Sequence, residues 1–307
     1  MNKVILITGA NAGIGKDTAR QLALKPGTER IYLACRNPEK ANAAKTELEA
    51  RTGKSIFEIV IMDVSDPNSV KHAVDSISHP IDALIMNAGG MGGKEPEKLT
   101  KDGVTNMFAA NMLDHVALVD LLIAQDKLKN VALYASSEAV RGIKKMGMRQ
   151  PNLSSGSEDE IAGIMDGSYF GKKFDPMEAY GHVKYAATLW MTAMSRKHPN
   201  IKFISVSPGG TGGTNVMDDL NGIMRIMYKH VLMPYVMPMM GMAHSLETGA
   251  KRFVDSIENS QLESGLFYAS KKSTITGPLV DQTPYFPALA NTTHQDNTDV
   301  AVHRFLG

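Results

Sequence analysis

The apolar run Val4-Ile5-Leu6-Ile7 passes without a break into Thr8-Gly9-Ala10-Asn11-Ala12-Gly13-Ile14-Gly15, and a helical pattern begins at Lys16. A strand that turns through glycines into a helix commits this end of the chain to a βα unit. It also builds an anion site, because glycines let the backbone come close to a phosphate while the amides and dipole of the helix N-terminus face the negative charge. Taken alone, such a turn can also be a tight connection that binds nothing, so the rest of the chain has to decide.

The βα pattern repeats. Short runs rich in β-branched residues recur at helix-plus-strand spacing, and strands are expected at Val4–Thr8, Arg30–Arg36, Phe57–Asp63, Ala83–Asn87, Val131–Ser136, Lys202–Ser207 and Leu266–Ala269. Most stretches between them have amphipathic helical spacing. Between Lys16 and Leu24, Ala19, Leu22 and Ala23 share one face and Pro26-Gly27 ends the helix; Pro38–Thr52 is a second helix, stopped by Gly53. Alternation of this kind predicts an α/β fold with a mainly parallel, seven-stranded sheet and helices on both faces. The 307 residues can bury a large core, and no linker or longer internal repeat divides them, so one domain over residues 1–307 is expected. Two stretches break the rhythm. Residues 138–176, with Gly, Ser, Pro and acidic residues but little periodicity, read as a long insertion on the carboxyl edge of the sheet. Residues 214–243 are apolar, with eight of the 20 methionines between Met217 and Met242, and Pro234 and Pro238 interrupt any long helix.

Composition removes several function classes. Acidic and basic residues nearly cancel to a formal charge of +1, and no basic run is long enough to track a phosphate backbone, so nucleic acid is not an expected partner. Cys35 is the only cysteine, which rules out an intrachain disulfide and suits a reducing, cytoplasmic compartment. The first apolar run ends after four residues, too short for the core of a signal peptide or a membrane span, and no targeting segment is expected.

At the end of the second strand of a dinucleotide fold, an acidic side chain suits the ribose of NAD, whereas an arginine accommodates the 2′-phosphate of NADP. Here the strand ends Leu33-Ala34-Cys35-Arg36-Asn37, with an arginine and no acid. NADP(H) is therefore favoured over NAD(H). The Gly-x-x-x-Gly-x-Gly spacing after Thr8 resembles the short-chain dehydrogenase/reductase family, whose fold is a Rossmann-type doubly wound sheet, and differs from the Gly-x-Gly-x-x-Gly of most two-domain dehydrogenases. The resemblance assigns Thr8, Gly9, Asn11, Gly13, Ile14 and Gly15 to the nucleotide, with Arg36 and Asn37 at its 2′-phosphate. It further implies that Asp63 and Val64 meet the adenine and that Asn87, Ala88 and Gly89 form the turn along the cofactor cleft. Ala12 departs from the pattern, since many NADP-dependent members carry a basic residue there.

Carbonyl reduction needs a proton for the developing alkoxide. A tyrosine, whose ordinary pKa is near 10, can supply one at neutral pH when positive charge lies beside it. A lysine four residues on lies on the same helical face. The spacing occurs three times, as Tyr169/Lys173, Tyr180/Lys184 and Tyr268/Lys272. The first contains Gly171 and runs into Asp175-Pro176, and the third starts in a strand-like run with no βα unit after it. Only Tyr180/Lys184 opens a long helical pattern followed by a strand. Upstream, the fifth strand ends in Ser136-Ser137, where a hydroxyl can bond a substrate oxygen, and the family pattern selects Ser137. By the same resemblance Asn111 holds a relay water and Lys184 also binds the nicotinamide ribose, while Tyr180 is the acid/base. After the sixth strand, Pro208, Gly209 and either Thr211 or Thr214 meet the nicotinamide. His115 is read as a structural histidine, and Val183 stands where many relatives have serine.

The resemblance, which is to retinol-dehydrogenase-like and carbonyl-reductase-like members, implies an NADP(H)-dependent oxidoreductase acting on the carbonyl/alcohol pair of a small molecule. The segment after the sixth strand covers the substrate in this family. Its methionines here suggest an adaptable apolar wall and a lipophilic substrate, or else ordinary packing between helices. A third reading is contact with a membrane surface, since Met224-Arg225-Ile226-Met227-Tyr228-Lys229 mixes basic and apolar residues. Insertions placed like 138–176 occur in monomeric carbonyl reductases, so a monomer or homodimer is expected. Two other functions use the same residues: reduction of a C=C bond, and nucleotide sensing by a catalytically silent relative.

Overall fold

The computed structural model describes residues 2–63, 66–144, 147–212 and 243–306. Strands β1 (Val4–Thr8), β2 (Arg30–Cys35), β3 (Phe57–Ile61), β4 (Ile81–Met86), β5 (Leu128–Ala135), β6 (Lys202–Val206), β7 (Phe267–Ser270) and β8 (Leu279–Asp281) form one sheet in the order β3-β2-β1-β4-β5-β6-β7-β8. All neighbours are parallel except the antiparallel pair β7 and β8. The eighth strand goes beyond the seven expected. It has only three residues, and its place is fixed by pairing of Tyr268, Ala269 and Ser270 with Asp281, Val280 and Leu279, which no local run announces.

Both faces of the sheet are covered, which is why its strands are apolar throughout instead of alternating. Ile5, Ile7 and Leu133 enter a core beneath helices α1 (Gly13–Ala23), α2 (Pro38–Thr52) and the later Leu246–Glu258 helix; Leu6, Ala132 and Tyr134 enter the opposite core. That second core is built by α3 (Pro67–Ser76), α4 (Asn106–Ala124) and the long Pro176–Lys197 helix. By length and composition α4 could cross a membrane, but 67% of its most apolar window is buried inside the fold, so here it serves as a core helix.

Element starts follow local chemistry. The Asn37 side chain accepts from Lys40 N at 2.8 Å to cap α2, and Gly53, with φ +66°, closes it as expected. β4 begins two residues before its expected start because Asp82 faces the amides of Lys3 and Val4, accepting from them at 2.7 and 3.0 Å. The 138–176 stretch is not without structure: it holds a 3-10 turn (Glu138–Arg141), helix α5 (Glu158–Asp166) and a second 3-10 turn (Ser168–Phe170). Helix α6 (Pro176–Lys197) then starts on Asp175, which accepts from Met177 N, with Pro176 at its first position. Helix α7 (Leu246–Glu258) follows the residues 213–242 that lie outside the described part, which take with them all of the methionine-rich stretch except Ala243. The tail, unreadable from sequence, adds β8 and helix α8 (Thr292–His303). Lys197 on α6 pairs with Asp299 of α8, and the residue after α8, Arg304, pairs with Glu158 and Asp159 of α5.

Candidate active site

The order of strands reverses between β1 and β4, and the carboxyl ends on either side of that switch form the crevice where an open α/β sheet takes its ligand. On one side lies the glycine turn. Gly9 N donates to Ala34 O at 2.9 Å, and Asn87 Nδ2 donates to Thr8 O at 3.0 Å, so the ends of β1, β2 and β4 are tied together. A Cβ on Gly15 would lie 2.5 Å from both Asn87 Nδ2 and Gly9 O, and only glycine allows that approach. A Cβ on Gly13 would meet nothing within 4 Å; this glycine has φ +54° and faces open space. Helix α1 starts there without a side-chain cap on Ala12 and without an acid in its first turn. Its N-terminal amides thus meet neither a side-chain cap nor a first-turn acid of α1 itself, and Asn11 and Ile14 are half-buried beside them.

The remaining residues assigned to the nucleotide fare differently. Arg36 is exposed at the end of β2, and none of the ion pairs among the described residues uses it. Asn37 turns its side chain to the cap of α2. Asp63 is half-buried at the end of β3, its amide donating to Ser69 Oγ at 3.0 Å, and Val64 lies outside the described residues. Ala88 N donates to Thr8 Oγ1 at 2.9 Å, and the turn that continues through Gly89 is held by Asn111. The Asn111 side chain bonds Gly90 twice, accepting from its N at 3.1 Å and donating to its O at 2.7 Å. Gly209 N donates to Ser207 Oγ at 3.0 Å beneath the Pro208-Gly209 turn. Thr211 directs its hydroxyl at Pro208 O and Gly209 O, both at 3.1 Å, and is buried; Thr214 is outside the described residues.

Of the three Tyr-x-x-x-Lys pairs, only Tyr180 and Lys184 share a helix. Tyr169 sits in a 3-10 turn and donates to Asn152 O, and Tyr268 lies in β7 accepting from Glu263 N. Ser137 Oγ accepts from Ala139 N at 3.2 Å; burial pushes the Tyr180 pKa up to about 12, with the nearby Ser137 hydroxyl opposing the rise and the charge of Glu138 adding to it. Ser136 points the other way, into α6, where its hydroxyl bonds Thr188 Oγ1 at 2.9 Å. Strand alternation thus leaves Ser137 as the serine of the crevice.

Lys184 is 4% exposed and burial alone brings its pKa from 10.5 down to about 7. Its Nζ donates to Tyr134 Oη at 3.0 Å and to Ala135 O at 2.8 Å and lies 5.7 Å from the centre of the Tyr180 ring. The expected lowering of the Tyr180 pKa by this lysine is not expressed in this arrangement, where desolvation of the phenol is the largest influence. Asn111 lies in a π turn (Ala109–Leu113) inside α4, an irregularity that redirects backbone carbonyls. Its carbonyl accepts from Tyr134 Oη at 3.1 Å and faces His115 Nδ1 at 3.2 Å. His115 is buried, with its pKa brought down to about 4 by desolvation, and its Nε2 bonds Thr8 Oγ1 at 3.0 Å. The structural part expected of it is thus a bridge between the glycine turn and Asn111.

Three residues of this region carry no signal in the sequence reading. Tyr134 is one. The others are Glu138 and Arg252, a buried ion pair at 3.7 Å with both side chains under a tenth exposed. Glu138 accepts from the hydroxyls of Ser207 and Ser270, while Arg252 donates to Ser207 O at 3.1 Å and Gly277 O at 2.6 Å. The pair thereby ties the residue after Ser137 to the ends of β6 and β7. A Glu directly after the Ser136-Ser137 pair at a strand end was the available clue.

Three comparisons bear on this architecture. The family description "short chain dehydrogenase" matches residues 3–139. Retinol dehydrogenase 12 of Mus musculus is 33% identical over 203 residues, covering 64% of this chain and 56% of that protein; dehydrogenase/reductase SDR family member 12 of Bos taurus is 29% identical over 210 residues, covering 67% and 60%. The chain therefore matches less than two thirds of the length of either relative. Among solved structures, L-sorbose reductase from Gluconobacter frateurii, complexed with NADPH and L-sorbose, superposes with a TM-score of 0.63 at 19% identity, covering 90% of this chain and 97% of that one.

Proposed function

This chain belongs to the short-chain dehydrogenase/reductase family, and from that premise we propose that it is an NADP(H)-dependent oxidoreductase interconverting a carbonyl and an alcohol on a lipophilic small molecule. The observation that carries the reading is the hydroxyl pair of Ser137 and Tyr180, with Lys184 one turn farther along α6. Two neighbouring hydroxyls can both bond a substrate oxygen placed between them. Ser137 orients that oxygen. Tyr180 gives it the proton as negative charge develops, and takes the proton back in the reverse direction.

The residues present suit a nicotinamide dinucleotide: the open space at Gly13, the uncapped α1 amides and the exposed Arg36 supply what a pyrophosphate and a 2′-phosphate need. When bound, that group supplies or accepts the hydride. α1 would hold the pyrophosphate, Arg36 the 2′-phosphate, and Lys184 the ribose hydroxyls. NADPH in the L-sorbose reductase complex agrees with this choice, and the likeness to retinol dehydrogenase 12 supports a lipophilic substrate.

NADPH oxidation measured against ketones, aldehydes and enones tests the proposal. Consumption with lipophilic ketones or aldehydes is expected; turnover of enones alone would make it a C=C reductase, and no turnover at all would sink it. We propose a monomer or homodimer, because α8 packs on α6 through the Lys197–Asp299 pair and α5 is held to the end of α8 by Arg304; a tetramer by light scattering would refute this. A cytoplasmic location fits a sequence in which Cys35 is the only cysteine.

A further inference from the structure

Tyr134 lies in β5, three residues before Ser137, and is completely buried. Its hydroxyl touches two groups of the proposed machinery, accepting from Lys184 Nζ at 3.0 Å and donating to Asn111 O at 3.1 Å. The polarity of this chain can be assigned throughout. Asn111 O can only accept, so His115 Nδ1 must carry the proton it directs there, and His115 Nε2 must then accept. Thr8 Oγ1 already accepts from Ala88 N and has a proton to give to Nε2. The chain runs from Ala88 through Thr8 and His115 to the Asn111 carbonyl, and from the other side Lys184 reaches the same carbonyl through Tyr134. The main-chain carbonyl of Asn111 thus meets two side-chain donors, Tyr134 Oη and His115 Nδ1.

We propose that Tyr134 is a positioning residue for Lys184: its phenol oxygen bridges Lys184 Nζ and the main-chain carbonyl of Asn111, so the lysine is anchored there by the protein and not by the relay water expected at Asn111. This rests on the dehydrogenase reading above. A phenol held by covalent structure cannot exchange, rotate away or be lost, as solvent can. It fixes the ammonium beside Tyr180, and by accepting from Nζ it favours the charged form of a lysine that burial drives toward neutrality. The titratable groups facing Lys184 are Tyr134 from β5, Tyr180 from its own helix and His115 from α4. None of the ion pairs among the described residues includes it, and its Nζ donates to the Tyr134 hydroxyl and to the main-chain Ala135 O.

The test is Tyr134→Phe, read in two ways: the pH profile of kcat/KM for carbonyl reduction, and the pH dependence of NADPH binding in the absence of substrate. Loss of one hydrogen bond to a charged group should move the alkaline limb of both profiles down by about one pH unit. A role confined to packing would lower the melting temperature and leave the limbs where they are. Superimposable profiles therefore overturn the Tyr134 assignment alone, whereas a wild-type protein that neither binds NADPH nor turns over any carbonyl overturns the dehydrogenase reading and this proposal with it. If the variant does not fold, a high-resolution crystal structure of the wild-type protein decides. The Tyr134 hydroxyl within hydrogen-bond distance of both Lys184 and Asn111 supports the proposal; an ordered water between those two groups, with the phenol turned away, overturns it.

Discussion

Replacing Lys184 by methionine should make the protein inactive and, at neutral pH, more stable. Burial brings the Lys184 pKa from 10.5 to about 7, and each unit of such a shift corresponds to about 1.4 kcal/mol. Between those two values the unfolded chain binds a proton that the folded one does not, so stability rises with pH across this window. The buried amine therefore costs up to about 5 kcal/mol at and below pH 7, less as pH rises, and nothing near its ordinary pKa. Methionine removes that cost with little change in volume but leaves Tyr134 Oη and Ala135 O without their donor, at about 1–3 kcal/mol for each group. Two stranded acceptors offset about 2–6 kcal/mol of this, so mid-range values leave a net gain of about 1 kcal/mol at pH 6.5 and at most about 3, up to a few degrees in melting temperature. At pH 9.5 the cost of the amine has mostly gone while the stranded acceptors remain, so the order should reverse. Differential scanning calorimetry at the two pH values, with NADPH turnover measured in parallel, gives the answer. Lys184→Met less stable than wild type at pH 6.5, or a difference that does not change with pH, would refute the reasoning.

Arg36→Ala should weaken NADPH binding by about 10- to 100-fold, the loss of a hydrogen-bonded charge on the 2′-phosphate, and leave NADH binding unchanged; equal losses for the two nucleotides would remove Arg36 from the site. Arg252→Met strands the buried Glu138 carboxylate and should destabilise the fold by about 3–5 kcal/mol in urea titrations, with part of this recovered in Glu138→Gln/Arg252→Met; a cost below about 1 kcal/mol would mean the pair is solvated. His303 has its pKa raised to about 9, first by its hydrogen bond to Asp120. A raised histidine contributes stability that is fully present below pH 6.5 and lost as pH climbs through 9. The advantage of wild type over His303→Gln in melting temperature should accordingly be greatest in acid and absent above that point, and a constant gap would contradict the assignment.

Much of the fold was legible because its elements carry local signals. Strands buried on both faces write themselves as apolar runs, and Asn37, Gly53, Asp175 and Pro176 mark helix ends by chemistry that acts within four residues. The choice among three Tyr-x-x-x-Lys pairs was also local: Pro176 had to start a helix, and that helix contains Tyr180 and Lys184 but not Tyr169 or Lys173. What sequence could not show depends on distant partners. Leu279-Val280-Asp281 becomes a strand only because β7 offers an edge. Asp82 sits within a strand because two backbone amides of another segment need its carboxylate. Tyr134 looks like any aromatic in a buried strand, and its contacts with Lys184, 50 residues on, and Asn111, 23 residues back, exist only once β5 is laid between α4 and α6.

The central claim is that Tyr180 moves the proton. Tyr180→Phe removes one oxygen and keeps the ring that packs against the α4 and α6 core. Steady-state NADPH oxidation with the best carbonyl found for the wild type, together with NADPH affinity measured by fluorescence, tests the claim most directly. Turnover should fall by about 10²- to 10⁴-fold while NADPH affinity stays nearly intact; undiminished turnover in the variant would contradict the account.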